Sequence, residues 1–129
     1  MADNKKIILL VEDEPLLANL LRQRLEKESF KVLLGRDGEE ALKILRETKV
    51  DLILLDIILP KISGFELMET LKTDPQIEKA PIIILSNLGQ DIDIAKGQSL
   101  GAIQYFVKAK VSIEELVEQI KTFLLQNEH

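Results

Sequence analysis

Residues Leu52–Pro60 read LILLDIILP, an aliphatic run interrupted by one carboxylate, Asp56. A run without polar alternation is how a strand reads when both its faces are covered, as in a parallel sheet. An ionised carboxylate left alone in a dry interior is too costly to keep. Either the run ends in solvent at Asp56 or a charged group meets it there. The simplest reading makes LILL a central strand, with Asp56 solvent-exposed at its open carboxyl end and IILP turning away as a loop.

Four similar runs surround this one: KIILLV (6–11), FKVLL (30–34), PIIIL (81–85) and IQYFV (103–107). The first and fourth also lack alternation, whereas the second is short and carries Lys31, which suits an edge strand. Helical patterns separate the runs. Leu16, Leu17, Leu20, Leu21 and Leu25 form one stripe, with Pro15 fitting the first turn of that helix. Asp37 and Glu40 are placed to cap a second helix over 38–47, and Ser63 and Glu66 to open a third running to about Lys72. A weaker fourth begins at Asp91, with Gly97 inside it and Gly101 past its end. The fifth starts at Ser112 with Glu115 in capping-box spacing, and Ile113, Leu116, Val117, Ile120, Phe123 and Leu124 recur at helical period to about Leu125.

Five β-α repeats with short connections predict a doubly wound α/β fold, a five-stranded parallel sheet with helices on both faces. No linker, repeat or low-complexity segment interrupts residues 1–129, so one domain is expected, with its core over about 5–125. The net charge of −5 lacks the basic cluster that nucleic-acid binding needs. Cysteine is absent, which excludes disulfides, thiolate zinc sites and thiol catalysis. The apolar part of the N-terminus, IILLV, is too short for a secretory core, and no run is long enough to span a bilayer. A cytoplasmic protein, monomeric or weakly dimeric, is the expectation.

In open parallel sheets, ligands bind beyond the carboxyl ends of the strands. The residues standing there are Glu12, Asp13 and Glu14 after the first strand, Asp56 after the third, Ser86 after the fourth and Lys108 after the fifth. Glu12, Asp13 and Asp56 cannot all ionise side by side without raising a pKa or recruiting a cation. An all-oxygen cluster suits a hard ion, and Mg²⁺ shares its coordination readily with phosphate. Lys108 and Ser86 add a positive charge and a hydroxyl donor for phosphoryl oxygens, which leaves Asp56, faced by Lys108, as the nucleophile.

These five positions, with Pro60 and Gly64, resemble the receiver domain of two-component response regulators over essentially the whole chain. The resemblance implies the flavodoxin-like strand order 2-1-3-4-5. It also implies that Asp56 takes a phosphoryl group from the phosphohistidine of a sensor kinase or a phosphotransfer protein. Asp13, Asp56 and the Ile58 backbone carbonyl would ligate Mg²⁺, with Glu12 acting directly or through water. Ser86 would draw its loop toward the phosphoryl group, and Tyr105 would switch in step. The helix 4–strand 5–helix 5 surface would then signal to a downstream protein or relay. Such a domain is not an enzyme in the ordinary sense, since it acts only on itself.

Two features depart from the family pattern. The residue after Lys108 is Ala109 rather than proline, so a trans bond, a shifted loop and a less firmly placed Lys108 are expected. Ile58 and Leu88, two residues beyond Asp56 and Ser86, offer nothing to orient a water, which implies a slowly hydrolysed phosphoryl group. Other readings are weaker. GQSLG (97–101) matches a nucleophile-elbow pattern but ends a helix rather than following a strand, and the single histidine is the terminal His129. An aspartyl phosphatase would want an acid where Ile58 stands. A phosphorylation-independent scaffold with the same fold is the alternative from a different class.

Overall fold

The computed structural model describes residues 4–126, in which strands and helices alternate along the chain. They are β1 (Ile7–Val11), α1 (Pro15–Lys27), β2 (Lys31–Gly35), α2 (Gly38–Glu47), β3 (Leu52–Leu55), α3 (Gly64–Thr73), β4 (Ile82–Ser86), α4 (Asp91–Ser99), β5 (Gln104–Val107) and α5 (Ile113–Gln126). A 3₁₀ turn, Lys108–Lys110, joins β5 to α5. The strands form one parallel sheet in the order β2-β1-β3-β4-β5, so the expected order holds and Lys31 lies on an edge strand.

The unbroken apolar runs follow from two cores, one on each face of the sheet. Ile8, Leu10, Leu54 and Ile83 point toward α1 and α5, where they meet Leu21, Leu25, Leu116 and Ile120. Their strand neighbours Leu9, Val11, Leu55 and Ile84 point the other way, toward Ala41 and Leu45 of α2 and Leu67 and Met68 of α3. Because strand side chains alternate between faces, both parities must be apolar when both faces are covered. α4 is attached more lightly, with Gly97 as its only buried residue.

The leucine stripe of α1 is narrower than expected. Ala18, Leu21 and Leu25 are buried and Leu17 packs against them, but Leu16 is 87% exposed and Leu20 41% exposed. At about 100° per residue, Leu16 and Leu20 are turned off the line through Leu17, Leu21 and Leu25, and nothing on the sheet reaches them.

The helix starts follow their predicted chemistry. Ser63 and Glu66 exchange side-chain and backbone bonds in a complete capping box, as do Ser112 and Glu115. Asp37 accepts from the Glu40 amide at 2.8 Å, while the Glu40 carboxylate reaches one residue further back, to the Arg36 amide. Gly101 follows α4 with φ of +109°, the left-handed conformation that glycine adopts without a Cβ penalty. GQSLG therefore ends a helix; His129 lies outside the described residues. Among the described residues, no helix is long and apolar enough to cross a membrane.

Candidate functional site

The parallel register carries the chemistry-bearing residues to one edge. Val11 pairs with Leu55, so Glu12 and Asp56 leave adjacent strands side by side, and the Asp56 amide donates to the Val11 carbonyl at 3.0 Å. On the other side of β3, Ser86 pairs with Val107, which puts Lys108 one residue beyond the end of the sheet.

Asp56 is not exposed as the sequence suggested: it is only 4% accessible. Lys108 Nζ lies 2.8 Å from its Oδ2, and the Ile58 amide donates to its Oδ1 at 3.1 Å. A carboxylate given an ammonium and a backbone donor can leave water, so a charged group does meet the aliphatic run at Asp56.

Lys108 is also held more firmly than expected. Its side chain is 11% exposed, and its ammonium contacts Asp56, Glu12 at 3.1 Å and Glu14 at 2.6 Å. The 3₁₀ turn begins at Lys108 itself, and no cis peptide bond occurs among the described residues. Burial pulls the ammonium pKa down, but hydrogen bonds and attraction from Asp56, Glu14 and Glu12 outweigh it, and the net shift is upward.

Glu12 is 1% exposed, and its Oε2 accepts from the Glu14 amide at 3.1 Å and from Lys108 at 3.2 Å. Burial, and then the Asp56 charge, push its carboxyl up to about 7 despite the nearby ammonium. One lysine cannot neutralise this many acids. Ligand oxygens of Glu12, Asp13 and Asp56 lie within 4.8 Å of one another, with Asp13 exposed at the rim. An oxygen-only donor set with surplus negative charge fits a hard divalent cation.

The raised Glu12 pKa has a consequence for stability. The folded protein holds this proton more tightly than the unfolded chain, so the stabilisation is complete below about pH 4.5 and is lost as pH rises through about 7. In chelator-containing buffer this group should remove about 3 kcal/mol between those limits. Urea titrations at several pH values should show the slope, and Glu12→Gln should flatten it. An unchanged slope in Glu12→Gln would rule out Glu12 as the source.

Ser86 is fully buried, and its Oγ accepts from the Leu88 amide at 3.3 Å. Tyr105 donates its hydroxyl to the Leu88 carbonyl at 2.5 Å. The Leu88 backbone therefore joins Ser86 to Tyr105, a link that no side-chain motif could reveal. Gly97 makes room for the tyrosine, since a Cβ there would stand 2.9 Å from the Tyr105 ring. Ile58 is 53% exposed beside Asp56, and Leu88 is half-buried. Glu14 was legible only as a third acid after β1, and its contact with Lys108 depends on a residue 94 positions away.

Three comparisons bear on this site. The profile of the family described as "Response regulator receiver domain" matches residues 8–121. The chain is 40% identical over 117 residues to "Transcriptional regulatory protein CpxR" of Escherichia coli K12, covering 91% of this chain and 48% of that protein. It thus spans about half the length of the curated relatives it matches. Among solved structures, it is similar to the "Phosphorylated Cyanobacterial Phytochrome Response Regulator RcpA", with TM-score 0.84, 31% identity and 97% of each chain covered. It is also similar to the "Mn(2+)-bound form of response regulator Rcp1", with TM-score 0.82 and 27% identity, covering 96% of this chain and 97% of that one.

Proposed function

Since this chain belongs to the response regulator receiver domain family, we propose that it is a phosphorylation-switched signalling module, a single receiver unit with Asp56 as its phosphoacceptor. The observation that carries this reading is the Asp56 carboxylate, faced by the Lys108 ammonium at 2.8 Å and clustered with Glu12 and Asp13.

The chemistry is an in-line displacement. An Asp56 carboxylate oxygen forms a bond to phosphorus as the P–N bond of the donor's phosphohistidine breaks, and the bonding pair returns to the imidazole. Lys108 then turns a donor toward a phosphoryl oxygen, and the Ser86 hydroxyl rotates to donate to another. Glu12, Asp13, Asp56 and the Ile58 carbonyl would hold Mg²⁺, which when bound supplies positive charge against the phosphoryl oxygens. The similarity to RcpA, whose structure is of the phosphorylated protein, and to Rcp1, whose structure is Mn²⁺-bound, supports both parts of this reading. Ile58 and Leu88 present only hydrocarbon near the acyl phosphate, which favours a long-lived adduct.

Ser86 moving toward the phosphoryl group would pull on the Leu88 amide and loosen the Leu88–Tyr105 bond. That carries the change to the face built from α4, β5 and α5, the surface we assign to a downstream protein or relay partner. The donor is a sensor histidine kinase or phosphotransfer protein, and the exposed Leu16 beside the acidic loop gives it an apolar foothold. The domain turns over no separate substrate, works through protein contacts rather than nucleic acid, and belongs in the cytoplasm.

The test is incubation with acetyl phosphate and Mg²⁺ followed by intact-mass measurement. Wild type should gain one phosphoryl group and keep it for minutes, and Asp56→Asn should gain none. No gain in wild type, or an equal gain in both, would favour a phosphorylation-independent scaffold.

A further inference from the structure

The Lys108 ammonium has three N–H donors, and three carboxylates occupy them: Asp56 at 2.8 Å, Glu14 at 2.6 Å and Glu12 at 3.2 Å. No donor remains for an arriving phosphoryl oxygen. If Lys108 serves the phosphorylated state, as the preceding section proposes, one of these bonds must open first.

The three acids are not equally easy to release. Asp56 is the acceptor itself. Glu12 is 1% exposed, and freeing it would strand a carboxylate away from water. The Glu14 side chain is 55% exposed, so water can take over its hydrogen bonds at once. Glu14 also stands at the N-cap of α1, yet its side chain makes no capping hydrogen bond. The favoured N-caps are the short Ser, Thr, Asp and Asn, whose oxygens reach a first-turn amide, and glutamate is not among them. Here the carboxylate is turned across to β5's end instead, so helix capping does not account for where it points.

We propose that Glu14 is a positioning residue for Lys108, holding one ammonium donor in the resting protein and surrendering it when a phosphoryl oxygen reaches Asp56. The hold keeps Lys108 at the mouth of the site and delays phosphorylation, because the donor must be won from a carboxylate before it can serve the incoming group. Glu14 touches neither the phosphorus nor the leaving group; it acts through Lys108.

Two variants separate this contact from mere charge and from helix stability. Glu14→Asp keeps the charge but is one methylene too short to preserve the contact, and Glu14→Ser removes both charge and contact. Aspartate and serine are good N-caps, so α1 should stay intact in either. The first readout is water exchange of the Lys108 ammonium protons in unphosphorylated, metal-free protein, followed by NMR with ¹⁵N-lysine. The second is the rate of mass gain with acetyl phosphate and Mg²⁺. Both variants should exchange faster than wild type, and both should phosphorylate about three- to fivefold faster, the scale of one exposed ion pair. Wild-type behaviour of Glu14→Asp in either measurement would overturn the proposal, since charge alone would then explain any effect of Glu14→Ser. Failure of wild type to gain a phosphoryl group would strike the receiver reading instead, and the exchange measurement would still decide whether Glu14 holds the lysine.

Discussion

Lys108→Ala should lower the unfolding free energy by about 3–5 kcal/mol in chelator at neutral to mildly alkaline pH, the scale for stripping one partner from a buried ion pair. The reason lies in what remains. Asp56 and Glu12 are 4% and 1% exposed, and Lys108 is the cation that both of them contact. Without it, two adjacent carboxylates keep their burial cost and their mutual repulsion and lose their attraction. Two substitutes exist, and each should restore stability. A proton on Glu12, whose carboxyl already titrates near 7, should shrink the loss as pH falls toward about 5. Mg²⁺, bound only by the folded form, should raise the midpoint with concentration, and by more in the variant than in wild type. Urea denaturation across pH and Mg²⁺ concentration measures all three. If the loss stays below about 1 kcal/mol in chelator at pH 8, Lys108 is not what makes the buried acids tolerable. Phosphorylation of the variant should also fail to change partner binding even where Mg²⁺ still binds.

Gly64→Ala should cost about 3 kcal/mol or more, although alanine is the better helix former by about 1 kcal/mol. A Cβ at Gly64 would stand 2.5 Å from the Asp56 carbonyl oxygen and 2.7 Å from the Ile57 Cα. These are backbone atoms that cannot rotate aside. α3 cannot retreat easily either. Its start is fixed by the Ser63–Glu66 box and by the Gly64 amide bond to the Ile57 carbonyl at 2.8 Å, and Leu67 and Met68 are at most 1% exposed. The clash falls on the peptide that carries Asp56, so the variant should also take up phosphoryl groups more slowly from acetyl phosphate. Denaturation with an unchanged m-value would place the loss in the folded state. A loss under about 1 kcal/mol would mean that the α3 entry yields without strain.

Much of the site was legible because each of its members closes an element that declares itself locally. The strands are largely apolar runs, and the first polar residue that closes or follows the runs of β1, β3, β4 and β5 makes a short list: Glu12, Asp56, Ser86 and Lys108. The fold rule that sites lie at the carboxyl edge then groups them without any knowledge of distance. The surplus of acid was likewise readable, and the raised Glu12 carboxyl is its expression. The misreadings share one cause. The exposure of Asp56, the freedom of Lys108 and the apolar face of α1 all depend on what lies opposite, and sequence spacing does not report that. Leu16 and Leu20 fit a helical stripe as well as Leu21 and Leu25, yet only the latter pair is covered.

By itself, the sequence determined the α/β alternation, the sheet edge carrying the chemistry and the identity of the acids, hydroxyl and ammonium gathered there. Those are consequences of periodicity, capping and residue type, all encoded within a few positions. Only the tertiary structure decided that Asp56 is buried rather than solvent-exposed where it meets Lys108, that Lys108 is divided among three carboxylates including Glu14, and that the Leu88 backbone links Ser86 to Tyr105. The physical reason is that burial and hydrogen-bond partnership belong to pairs. A side chain's charge and reach are written in the chain, but whether water or another residue answers them depends on what packing brings within about 3 Å.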